Sequence, residues 1–165
     1  MKIGVTEISP RAVQQVAEKK FKDGYYCCEA LVSAIRDEFQ LDVPEEVIAM
    51  ASGMAVGAGK SGCVCGAFNG GILALGLFFG RTEQDGPTNP KSVKCMELTK
   101  ELHDFFRDSF ESPCCGVLIR GYAKDAPERK KLCTKIVTGT VRKTASIILR
   151  ELEKDNAMLH STKEE

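Results

Sequence analysis

Residues 61–80, SGCVCGAFNGGILALGLFFG, hold no ionisable side chain except two thiols and form the most apolar stretch of the chain. A segment of this kind must be buried, so the remaining elements have to cover it. The pattern predicts a central helix from Ser61 to Gly80 whose first turns hold Cys63 and Cys65. Gly66, Gly70 and Ala74 recur at every fourth position and line one face with small side chains. A neighbouring backbone or a compact inorganic cluster could approach that face closely. The stretch is about long enough to span a bilayer, but its six glycines, Asn69 and two thiols favour a core helix over a membrane span.

Flanking segments supply the cover. Ser9 and Pro10 form an N-cap and first-turn pair, and Ala12, Val13, Val16, Ala17 and Phe21 repeat at helical spacing up to Gly24. A second helix begins near Tyr26, with Cys28, Leu31, Val32, Ile35 and Phe39 on one face. That spacing buries Cys28 and turns its neighbour Cys27 about 100° away. Asp42, Pro44, Glu45 and Glu46 open a third helix expected to run through Met54. GAGKSG at 57–62 imitates a phosphate-binding loop, but Met54 stands where the first Gly is required and the preceding segment reads as helix. A turn between helices is expected there.

Gly80 stops the central helix, and a loop leads to Asn89 and Pro90, which start a helix with Val93, Leu98, Leu102, Phe105, Phe106 and Phe110 on its apolar face. Ser112-Pro113-Cys114-Cys115 repeats the capping arrangement ahead of a short helix, CCGVLIRGYA. Asp125 and Pro127 open the last helix, in which Leu132, Cys133, Ile136, Val137, Thr140, Thr144, Ile147 and Ile148 share a face. No segment alternates as a strand does. The fold class is all-α, a bundle of about six or seven helices. At 165 residues a single domain is expected, with residues 155–165 as a frayed polar tail.

Charge excludes some functions. The 23 basic and 23 acidic residues cancel, and no basic stripe is interleaved with aromatics, so neither nucleic acid nor an anionic membrane is an expected partner. The amino-terminal MKIGVTEISP has no apolar core or small-residue cleavage site, so no signal peptide and a cytoplasmic location are expected. Eight cysteines in such a chain are expected to be reduced, as metal ligands, redox groups or core filler.

Three of these thiols, Cys28, Cys65 and Cys115, fall near predicted helix N-termini, and Cys133 lies on the buried face of the last helix. Free amides and the positive end of a helix dipole favour thiolate over thiol. Four thiolates converging from different helices would make a site of the kind that holds an iron–sulfur cluster or zinc. Paired C-x₂-C knuckles, a thioredoxin-type C-x-x-C, a C-x-x-C-H haem motif and the Glu-x-x-His of di-iron bundles are all absent.

Cys28-Glu29-Ala30 after Gly-Tyr-Tyr, Cys65-Gly66-Ala67-Phe68-Asn69-Gly70, Cys115 with Leu118, and Cys133 before Ile136-Val137 resemble the redox-active C_GCAxxG_C_C family. The resemblance implies a small helical domain with four functional cysteines, here Cys28, Cys65, Cys115 and Cys133. It also implies similarity to the non-haem domain of split-Soret cytochromes, whose helical part is associated with an iron–sulfur centre, and through them a homodimer. Haem chemistry does not carry over, because this chain has no haem motif. The extra thiols Cys27, Cys63, Cys95 and Cys114 leave the ligand set open, since a one-residue helix shift exchanges Cys27 for Cys28 or Cys114 for Cys115.

Two functions from different classes follow. One is electron transfer or redox sensing by a cluster, expected as [2Fe–2S], on Cys28, Cys65, Cys115 and Cys133. The other is thiol–disulfide exchange led by Cys65; structural zinc is a third. His103 and Asp104 are not expected to act as a dyad, and the run Arg129, Lys130, Lys131, Lys135, Arg142 and Lys143 reads as a solvated face or as a docking surface for an acidic redox partner.

Overall fold

A computed structural model describes residues 8–161. Residues 1–7, which carry most of the segment read as lacking a signal peptide, and residues 162–165 of the expected tail lie outside the described residues. The helices are α1 (Pro10–Lys22), α2 (Cys27–Glu38), α3 (Glu46–Ala49), α4 (Gly66–Phe79), α5 (Pro90–Phe110), α6 (Cys115–Leu118) and α7 (Pro127–Ser161). No sheet is present among the described residues, and the all-α expectation holds. No helix among them is long and apolar enough to cross a membrane.

Local signals set most of the boundaries. The Ser9 side chain accepts from the Arg11 N–H at 3.2 Å and starts α1. Asn89 Oδ1 accepts from Lys91 and Ser92 and starts α5. Glu29 Oε2 accepts the Tyr26 N–H at 2.8 Å, while its Oε1 accepts the Ser52 hydroxyl at 2.5 Å, which ties the start of α2 to the turn after α3.

The apolar helix α4 is the hub: it packs against α2, α5 and α7, and α1 closes over α2 and α7. Leu31, Ile35, Phe39, Leu75, Leu102, Phe106, Ile147 and Ile148 form the main core. A smaller cluster joins Cys28 and Val32 to Val47, Ala51 and Ala55. Thr140 and Thr144 sit inside α7, where each hydroxyl donates to the carbonyl four residues earlier and so needs no other partner.

Several expected boundaries are corrected. The third helix does not reach Met54: α3 ends at Ala49 and a 3-10 turn, Ser52–Met54, follows. The central helix begins at Gly66, not Ser61, so Cys63 lies outside it and Cys65 is its N-cap. The backbone of residues 62–65 is engaged elsewhere, in an isolated antiparallel bridge between Val64 and Cys114. The short helix after Pro113 is a single turn starting at Cys115. Val93 is exposed and not part of the α5 core face. At the other end α7 continues through Ser161, past the point at which fraying was expected.

Candidate functional site

The turn between the 3-10 segment and α4 brings two distant cysteine-bearing segments together. Val56, Gly57, Ala58, Gly59, Lys60 and Gly62 all have positive φ, so the GAGKSG sequence coils tightly and does not form a strand-to-helix phosphate loop. A side chain at Gly57 would run into the Cys63 and Gly62 backbone and the Cβ of Cys115, so glycine is required there. The coil delivers residues 62–65 to residues 113–116. Cys65 N–H donates to Pro113 O at 2.7 Å, Cys115 N–H to Cys63 O at 2.6 Å, and Gly116 N–H to Gly62 O at 2.7 Å. The starts of α4 and α6 are thereby clamped side by side.

Four cysteines line the cavity beside this clamp: Cys27 from the first turn of α2, Cys65 from the N-cap of α4, Cys115 from the start of α6, and Cys133 from α7. The cavity measures about 380 Å³. Three of the expected site residues, Cys65, Cys115 and Cys133, are thus brought together. The fourth is not, for Cys28 is fully buried in the smaller core cluster and off the cavity wall. Its neighbour Cys27, about 100° around the helix, takes that place. Cys63, Cys95 and Cys114 also stay off the wall; the Cys114 thiol instead donates to Gly62 O at 3.1 Å. All eight cysteines are free.

The thiols are electrostatically unequal. The Cys27 pKa is lowered to about 7, chiefly by the hydrogen bond from the Cys28 thiol, against the effect of burial and with help from backbone N–H groups including that of Val56. Cys28 is correspondingly pushed up, first by that bond and then by burial. Burial pushes Cys65 up to about 12, with the charges of Cys27 and Cys115 adding to the rise and the N–H groups of Ala67 and Phe68 opposing it. Burial pushes Cys115 up to about 11, and neighbouring Cys27 and Cys133 add to this while Arg129 opposes it. Cys133 is raised by burial and then by Cys27, again opposed by Arg129. At neutral pH one wall thiol, Cys27, is poised to ionise, and its charge discourages the other three from following.

Two members of the basic run on α7 also belong to this wall. Half-buried Arg129 lines the cavity and exposed Lys130 stands at its rim, so Arg129 at least departs from a purely solvated face. Lys143 from the same run pairs instead with Glu101 at 2.6 Å. His103 Nδ1 does approach the Asp104 carboxylate at 3.2 Å, contrary to the expectation for adjacent residues, but neither lines the cavity.

In this all-helical bundle, cysteines from four helices line one cavity at the amino end of a Gly-rich central helix. A family model described as "Putative redox-active protein (C_GCAxxG_C_C)" matches residues 25–147, and the chain belongs to that family. The match contains all four cavity cysteines. No curated protein and no solved structure matches the chain.

Proposed function

We propose that Cys27, Cys65, Cys115 and Cys133 hold an iron–sulfur cluster of the [2Fe–2S] type and that the protein serves in electron transfer or redox sensing. The observation that carries this reading is the convergence of four thiols from four separate helices on one cavity. The donor set is all sulfur, which suits iron–sulfur chemistry. Among the described residues no group of three His, Cys, Asp or Glu side chains is placed to hold a metal ion, and the cluster reading rests on the lining of one cavity by four thiols. Such a group, when bound, supplies one-electron transfer.

The chain's own part is to hold and tune. The backbone N–H groups of Ala67 and Phe68 act to lower the Cys65 pKa, that of Val56 to lower the Cys27 pKa, and the Arg129 charge to lower those of Cys115 and Cys133. All of these favour thiolate. The Cys28 thiol adds a hydrogen bond to Cys27 from the core side. Cys65 and Cys115 are buried, and the lower dielectric there strengthens each of these interactions.

A second reading is favoured by one observation, the lowered pKa of Cys27. In thiol–disulfide exchange the Cys27 thiolate would attack a sulfur of a substrate disulfide and release the other sulfur as a thiolate. A second wall thiol would then attack the mixed disulfide, leaving an intramolecular disulfide and a reduced substrate.

Anaerobic purification with visible spectroscopy and iron and sulfide assays separates the two. Absorption above 400 nm with equimolar iron and sulfide, lost in Cys27→Ser and kept in Cys28→Ala, is expected for the cluster. Colourless, iron-free protein that cycles between dithiol and disulfide would replace it by the exchange reading.

A further inference from the structure

The cavity wall carries more than sulfur. Phe21, Tyr26 and Ile119 give it an apolar lining, and Lys124, Arg129 and Lys130 place three cations on it against one acid, Asp125. Among the described residues none of the three cations is within ion-pair distance of a carboxylate. Further along α7, Lys143 and Arg150 are engaged by Glu101 and Lys154 by Glu151, while Lys131, Lys135 and Arg142 have no ion pair among the described residues and lie off the cavity wall. Since the whole chain has 23 basic and 23 acidic residues, three cations against one acid on the cavity wall is a local excess and not a reflection of composition. Arg129 is held in place by the bond its Nη1 donates to the Lys124 carbonyl at 3.3 Å, which ties the segment before α7 to the first turn of that helix.

An apolar pocket of about 380 Å³ with a few convergent polar groups is the usual form of a small-molecule site. Unpaired guanidinium and ammonium groups select an anionic group, and a guanidinium suits the paired oxygens of carboxylate or phosphate. We propose that the cavity binds a small organic anion, with its apolar body against Phe21, Tyr26 and Ile119 and its carboxylate or phosphate at Arg129, Lys130 and Lys124. Such a ligand would lie beside the thiols, within reach of whatever redox chemistry they perform. The ligand would share the cavity with a cluster in the first reading of the thiols and would have it alone in the second.

The test is calorimetric titration of the full chain, purified anaerobically, with benzoate, phenyl phosphate and the uncharged analogue benzyl alcohol. Saturable binding of one or both anions is expected, at least about tenfold tighter than that of benzyl alcohol, because hydrogen bonds to charged groups are lost with the anion. The stronger of the two anions identifies the preferred head group. Arg129→Gln and the exposed-site variant Lys130→Gln should each weaken anion binding, by about tenfold and by a few fold respectively, with helicity unchanged by circular dichroism. Lys131→Gln, which is exposed and off the cavity wall, should leave it unaltered. The bound anion should also protect Arg129 from phenylglyoxal, read by peptide mass spectrometry. Equal binding of benzyl alcohol, no saturable binding of either anion, or unprotected Arg129 overturns the proposal. So does binding of polyglutamate in place of the small anions, which would mark a docking face for an acidic protein. Iron and sulfide measured on the same samples keep the outcome separate from that of the cluster.

Discussion

The sulfur of Cys27 lies against the α-carbon side of Gly66, where a Cβ would collide with it. This approach joins the hub helix directly to the candidate site, and it makes the glycines of α4 unequal. At Gly70 an added Cβ would meet the Cys28 carbonyl oxygen at 2.8 Å and its Cα at 3.0 Å, backbone atoms that cannot step aside. At Gly76 nothing lies within 4 Å. Gly66→Ala should therefore cost about 1–3 kcal/mol and dislodge Cys27, and Gly70→Ala should cost at least as much while shifting α2 as a whole. Gly76→Ala should stabilise by about 0.5–1 kcal/mol through helix propensity. Urea denaturation of the three variants, with thiol alkylation followed by mass spectrometry, reads both effects.

Cys28 supports Cys27 from the core side, and removing it should show in Cys27 alone. In iron-free, reduced protein Cys27 is expected to be the first wall thiol alkylated by iodoacetamide, with a midpoint near pH 7, while Cys65 and Cys115 stay unreactive until strongly alkaline pH. Cys28→Ala removes the donor that contributes most to the low value, so the Cys27 midpoint should rise toward the ordinary thiol range near 9. The same change opens a small gap among Val32, Val47, Ala51 and Ala55, at a cost of about 1 kcal/mol. An unshifted Cys27 midpoint in a folded Cys28→Ala protein would show that the backbone N–H groups suffice.

What the sequence made legible was set by how local each signal is. Ser9 with Pro10 and Asn89 with Pro90 cap their own helices within three residues, and α1 and α5 begin where those signals place them. The stripe Cys28, Leu31, Val32, Ile35 and Phe39 is fully buried as its period requires. The difference lies one step further on: the core-facing side of α2, which holds Cys28, is not the side that lines the cavity. The cavity lies beside the core, so the residue flanking the stripe, Cys27, reaches it. The stripe itself contained that signal, because it already accounted for Cys28 as core. The late start of α4 had no local signal at all, since residues 62–65 are held by residues 113–116, some fifty positions away. Arg129 was read with its whole run, as a solvated face or docking surface, because a charge run shows nothing about which of its members turns inward.

Glu101 on α5 anchors α7 through Arg150 at 2.7 Å and Lys143 at 2.6 Å, well away from the thiols. The bond from Arg150 is the main reason its carboxyl is lowered from 4.5 to about 2, with burial opposing and Lys143 assisting. A carboxyl with a depressed folded-state pKa stabilises the fold above its unfolded pKa and loses that contribution as pH falls through the folded value. Glu101→Gln should thus destabilise at pH 7 by about 1–2 kcal/mol after allowance for solvent screening. The gap from the unaltered protein should narrow between pH 4.5 and 2, as followed by thermal melts across that range. A gap independent of pH would mean that Glu101 contributes through packing alone.

The unequal thiols should also give the iron-free, reduced protein a stability maximum near pH 9. Cys27 has its folded-state pKa lowered from 9.0 to about 7, so its contribution is full above 9 and fades as pH falls through 7. Cys65 and Cys115 are raised from 9.0 to about 12 and about 11, so their contribution is full below 9 and is lost as pH rises through those values. Each such group contributes a slope of at most about 1.4 kcal/mol per pH unit within its own window. Cys27→Ser should flatten the rising limb between pH 7 and 9. It should also soften the falling limb, because the Cys27 charge is part of what raises Cys65 and Cys115. Denaturant midpoints at half-unit steps from pH 6.5 to 11, with the variant subtracted from the parent to cancel lysine and tyrosine titration, measure both limbs. A difference curve flat across pH 7–9 would show that Cys27 has an ordinary pKa and that the four thiols do not interact as their shared cavity requires.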